Sequence, residues 1–144
     1  MKAKKSVKDV VTVANAAATE AMNASGKVKP EDVTTALIKA LRSRDAMAGA
    51  GDEAKYQVRV TVTNFRLRSA FNAVMFGFMA GADSIDGTVA VQDLSGKVLK
   101  QVDVSASYAA GGFAGGQDSV RIEWMLDEFS KKAIEELVKT PVKG

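Results

Sequence analysis

Two stretches of two-residue alternation fix most of what this chain can become. In KYQVRVTVTNFRLR (55–68), Tyr56, Val58, Val60 and Val62 share one side, and Gln57, Arg59, Thr61 and Thr63 the other. That period is a half-buried strand. At Asn64 the phase slips and Phe65 and Leu67 become the apolar set, as a β-bulge requires. In SIDGTVAVQDLSGKVLKQVDVSASY (84–108), Ile85, Val89 and Val91 alternate into the turn DLSGK, and Val98, Val102, Val104, Ala106 and Tyr108 alternate out of it. Gly96 supplies the left-handed residue of a tight hairpin. These strands predict a three-stranded antiparallel meander.

Helical signals flank it. Pro30 suits a first helical turn, Glu31 and Asp32 complement the dipole, and Val33, Ala36, Leu37, Ala40 and Leu41 form a stripe ended by AGAG (48–51). A last helix spans about Asp118 to Lys139, capped by Asp118 or Ser119 and stopped before Pro141. Its stripe is Ile122, Leu126, Phe129, Ala133 and Leu137, with Met125 beside it. Asp127–Lys131, Glu128–Lys132 and Glu135–Lys139 are acid-first pairs four apart, suited to an exposed face. Trp124 lies off the stripe and is expected partly buried against the sheet edge or an interface. From Ser6 to Asn23, Val7, Val10, Val11, Ala14, Ala17, Ala18, Ala21 and Met22 follow the helical recurrence, and SVKD reads as a capping box. The β-branched DVVTV supports a strand instead; periodicity favours the helix. The expected fold class is α+β, a mainly antiparallel three- to four-stranded sheet packed by two or three helices. One domain covers 1–144, with 1–29 as an N-terminal segment and 30–139 as its core.

Two connections stand out. FNAVMFGFMAGADS (71–84) places Phe71, Val74, Met75, Phe76, Phe78 and Met79 between two strands. YAAGGFAGGQDS (108–119) carries Phe113 and the glycines Gly111, Gly112, Gly115 and Gly116. In a meander both connections fall at one end of the sheet, opposite DLSG. The apolar residues then form either an interaction tip or a helical turn folded over the core, since long unstructured loops are uncommon. The glycine loop before a helix invites comparison with phosphate-binding turns. Its spacing is GGxxGG, no Gly-Lys-Ser/Thr follows, and Asp118 stands where phosphate would sit. A flexible tip or close strand–helix packing is the better account, with ligand or nucleotide binding as the alternative.

Composition excludes most catalysis. The chain has no histidine and no cysteine, so the usual general base, thiol nucleophile and zinc ligands are missing. Glu123 with Asp127, and Asp83 with Asp86, read as a solvated face and as turn-shaping residues. No metal, cofactor or catalytic residue is expected. The net charge of +3 gathers at the chain ends without interleaved aromatics, so nucleic acid is not the expected partner. MKAKK followed by VVTVANAAA departs from a signal peptide at Asp9 and Asn15. The chain reads as a mature domain with any export signal removed.

The run from FMAGAD through QDLSGKVL and AAGGFAGG to DEFSKKAIEEL (78–137) resembles the C-terminal half of the bacterial domain-of-unknown-function family 4410. The features are a Gly-Ala-rich approach to a strand, the hairpin, and a GG-rich loop leading into a helix. The resemblance covers about 56–138 and is weaker before 56, where the family implies a strand at DVVTV. It implies a secreted or lipid-anchored envelope protein, with an organisation similar to periplasmic accessory domains related to the curli secretion pore, and it transfers no catalytic residue. The expected function is a non-enzymatic structural or interaction domain of the bacterial envelope or periplasm. Its partners would be other copies, another envelope protein or a membrane surface.

Overall fold

A computed structural model describes residues 5–26, 28–66, 82–109 and 118–139. The element order is β1 (Val7–Ala14), α1 (Ala16–Ser25), α2 (Pro30–Ser43), β2 (Tyr56–Arg66), β3 (Ala82–Asp93), β4 (Val98–Ala109) and α3 (Asp118–Lys139). The strands form one sheet in the order β1-β2-β3-β4. β2, β3 and β4 pair antiparallel as the alternation requires, and β1 joins β2 in parallel. A parallel pair needs a crossover, which α1 and α2 supply. The result is the expected α+β class.

The N-terminal segment corrects the sequence reading. Residues Val7–Ala14 are a strand, and the helix begins only at Ala16. A register shift between Val7 and Asp9 explains the error. The bulge turns Val7 and Val10 to the same side, where they are 0% and 6% exposed. A bulged strand therefore mimics the three-residue spacing of a helix. Asp9 is no part of a capping box: its carboxylate accepts a 2.8 Å bond from Gln57 Nε2. The cap lies at Asn15, whose Oδ1 accepts from Ala18 N (2.8 Å) while its Nδ2 donates to Thr63 O (3.1 Å). One side chain thus starts α1 and ties it to β2.

The helix α2 starts at Pro30, with the Lys29 amide donating to Asp32 (2.9 Å). It stops at Ser43, before AGAG, because Asp45 adopts a left-handed φ of 61°. In the β3–β4 turn Gly96 has φ 100°, and the Asp93 carboxylate accepts from Ser95 Oγ (2.6 Å), Ser95 N and Lys97 N. The Ser95 hydroxyl, then the Lys97 amide, hold that carboxyl below the usual aspartate range.

Val58, Val60, Val62, Ile85, Val89, Val91, Val104 and Ala106 are buried, and with them Val33, Leu37, Leu41, Met125 and Phe129 from the helices. The alternate strand positions, among them Arg59, Thr63, Gln101, Asp103 and Ser105, are exposed. The molecule thus has two layers, with the described helices on one sheet face. Lys100 falls on the helix side and is only 8% exposed; its Nζ donates to Leu137 O (2.9 Å). A cation at the carbonyl end of α3 is favourably placed in the helix field. The four-apart charge pairs foreseen for α3 are not its ion pairs among the described residues. Asp127 lies 3.6 Å from Lys39 of α2, and Glu136 lies 3.5 Å from Lys139.

Ser130 is fully buried in α3, and its hydroxyl has no hydrogen-bond partner among the described residues. Burial of an unpaired hydroxyl is unfavourable. Ser130→Ala should leave stability unchanged or raise it by up to about 1 kcal/mol, read as the midpoint of thermal or urea unfolding. A clear loss would reveal a partner for that hydroxyl.

Candidate interaction surface

β2 and β3 close against each other through the pair Arg66↔Ser84, and β3 and β4 through Ala82↔Ala109. The chain therefore leaves β2 at 66, re-enters at 82 and leaves β4 at 109, all at one end of the sheet. Residues 67–81 and 110–117 are the two connections that depart from that end. Phe71, Val74, Met75, Phe76, Phe78, Met79 and Phe113 lie outside the described residues, as do Gly111, Gly112, Gly115 and Gly116. The DLSG turn sits at the opposite end, with Leu94 55% exposed.

Close to the two connections, β2 carries the expected bulge. Its register with β3 shifts between Val62 and Asn64, so Val62 and Phe65 are both buried although three apart. Asp86 is not a turn residue at the start of β3; it sits within the strand, opposite the bulge. One carboxylate oxygen accepts from Asn64 Nδ2 (3.0 Å) and the other from Ser105 Oγ. Asp86 thus joins β2, β3 and β4 across the face that the described helices leave open. Beside it Thr88 Oγ1 donates to Asp103 (3.3 Å), and Thr63 Oγ1 donates to Asp86 O (3.3 Å). Thr63, Asp86, Thr88, Asp103 and Ser105, with Gly87 and Val104, line a shallow, open depression of about 410 Å³.

The hydrogen bonds in this depression tie the three strands together. Both oxygens of Asp86 are already occupied by donors, so it is not poised as a general base. Among the described residues no group of three or more His, Cys, Asp or Glu could hold a metal ion. Glu123 is exposed, and Asp127 faces Lys39 rather than a second acid.

Gly87 was missed in the sequence although it interrupts an apolar strand, a sign of close backbone approach. A Cβ there would lie 2.7 Å from Thr61 O and 3.4 Å from Phe129 Cζ. Asp86 and Gly87 together let the bulged strand and α3 close on β3. Trp124, off the apolar stripe and expected partly buried against the sheet edge or an interface, is 45% exposed on α3. No described helix is long and apolar enough to cross a membrane.

The family model described as Domain of unknown function (DUF4410) matches residues 4–112. That match takes in β1, where the sequence resemblance is weaker, and stops before α3, which the resemblance had included. No curated protein matches this sequence. Among solved structures, a minor lipoprotein from Acinetobacter baumannii is similar at TM-score 0.54 and 16% identity, covering 95% of this chain and 96% of its own. Protein XCC0632 from Xanthomonas campestris, of the DUF330 family model, gives 0.58 and 10%, covering 94% and 87%. A PelC dodecamer from Paraburkholderia phytofirmans gives 0.56 and 15%, covering 93% and 86%. At these identities the likeness is one of fold.

Proposed function

The chain belongs to the DUF4410 family of domains of unknown function, and from that premise we propose a non-enzymatic, envelope-associated interaction domain. It works by contact, through the end of the sheet that bears residues 67–81 and 110–117. The observation that carries this reading is the strand register: Arg66↔Ser84 and Ala82↔Ala109 root the two most unusual segments of the sequence side by side. Phe71, Val74, Met75, Phe76, Phe78, Met79 and Phe113 would then contribute apolar contact, and Gly111, Gly112, Gly115 and Gly116 close backbone approach. The folds of a lipoprotein and of a protein crystallised as a dodecamer support an envelope setting and self-association.

The test is Phe76→Ser combined with Phe78→Ser. Burying a phenylalanine contributes about 1.5–3 kcal/mol. Losing two from an interface should weaken association roughly a hundredfold or more. Light scattering across a concentration series should show the variant shifted towards a smaller assembly than the parent, with its thermal midpoint kept within about 2 °C. If the variant unfolds, these rings belong to the core. If it assembles as the parent does, the tip is not the contact.

A further inference from the structure

The sheet has two outer edges, and they are finished differently. Natural sheets protect such edges with charge, proline, bulges or covering chain, because unpaired backbone groups recruit other strands. Along β4, Lys132 Nζ donates to Ser105 O (3.3 Å), and a register shift interrupts the pairing of Val91 and Gln92 with β4. The beginning of β1 is covered as well. Val7 N donates to Ala46 O (2.9 Å) and Ala48 N donates to Val7 O (2.8 Å), so residues 46–48 occupy that stretch of edge.

Beyond it, among the described residues, the edge is open except at Ala14, whose carbonyl accepts from Thr19 Oγ1 (3.2 Å). Asn15 N donates to Val62 O (3.0 Å), which turns the main chain of Ala14 away from β2. Alternation turns Thr12 and Val10 outward too. Among the described residues, neither has a backbone partner on that side. The stretch Val10–Ala14 reads VVTVA, without charge, proline or glycine. Short segments of that kind at an open edge pair readily with another strand.

We propose that this edge pairs with the same strand of a second copy, antiparallel about Thr12. The self-match of the open stretch selects this occupant. A two-fold axis at Thr12 lays Val10–Ala14 onto itself, so each copy stays clear of the other's covered portion at Val7. The residues whose main chain faces outward meet in register, Thr12 with Thr12 and Val10 with Ala14; their side chains lie on the helix side, where Thr12 Oγ1 accepts from Thr34 Oγ1 (2.7 Å). On the open face the half-buried Val11 of one copy meets the half-buried Val13 of the other. Asp9 falls beside Asn15 of the second copy, so like charges do not oppose across the pair. Apolar and Thr–Thr cross-strand contacts of this kind are favourable. The two sheets become one continuous sheet of both copies.

Lysine on the open face should block this pairing while leaving the β1–β2 ladder intact. Val11→Lys with Val13→Lys should lose the dimer in sedimentation velocity, raising the dissociation constant at least about tenfold. The Phe76→Ser/Phe78→Ser protein should keep it, which separates this edge from the tip. The chain has no cysteine, so Val11→Cys with Val13→Cys adds a clean reporter. Facing residues of a non-hydrogen-bonded pair lie about 4.5 Å apart at Cα, within disulfide reach. Mild oxidation should give a covalent dimer, whereas Gln101→Cys with Asp103→Cys on β4 should not. A wild type that stays monomeric, an unchanged dimer in the lysine variant, or equal cross-linking from both edges would each overturn the proposal.

Discussion

Replacing Gly87 by alanine should lower stability by about 2 kcal/mol, a fall of roughly 4–8 °C in thermal midpoint. The reason is one contact. The new Cβ would lie 2.7 Å from Thr61 O, a backbone atom in the neighbouring strand. Thr61 pairs with Thr88, and Val62 with Gly87, just before the register shift at Asn64. Backbone cannot rotate out of the way as a side chain can, so β2 and β3 must part or the bulge must reshape. A gain of about 0.4–1 kcal/mol from stiffening the unfolded chain opposes the loss without cancelling it. Gly87→Val should cost more. Differential scanning calorimetry of Gly87→Ala decides the matter, and a midpoint at or above wild type would mean that the bulge yields freely.

The strand alternation was legible because one sheet face is buried and the other open. Val58, Val60 and Val62 report the buried side directly, and Asn64 announces the bulge by breaking phase. The stripe of α3 was equally plain, for Ile122, Leu126, Phe129, Ala133 and Leu137 are all buried. β1 misled because its bulge puts Val7 and Val10 on one side, the spacing a helix also produces. The place where the two connections leave the sheet followed from counting strands, since a meander returns every second turn to the same end. Side-chain partners across strands did not follow. Nothing local to Asp86 says that it receives Asn64 and Ser105, because register is set by pairing over the whole sheet. Likewise Lys100 looks like any solvated lysine until α3 folds back and presents Leu137 O to it.

Phe129→Ala should be the most damaging single change considered, at about 3–5 kcal/mol. Phe129 is fully buried, among the largest side chains at that depth, and it belongs to the core that joins α3 to the sheet. Its Cζ stands over Gly87, 3.4 Å from where a Cβ would be. The missing side chain of Gly87 is therefore part of the seat for the ring. Truncation leaves a cavity walled by rigid strands, which cannot collapse to refill it. Against a total stability of about 5–15 kcal/mol, such a loss takes a large share of the fold. The double variant Gly87→Ala/Phe129→Ala separates the two causes. Removing the ring relieves only the looser contact and leaves the Cβ against Thr61 O. The two losses should therefore add to within about 1 kcal/mol in a urea-unfolding cycle. A double variant markedly more stable than that sum would show that the ring, not the strand backbone, excludes a side chain at position 87.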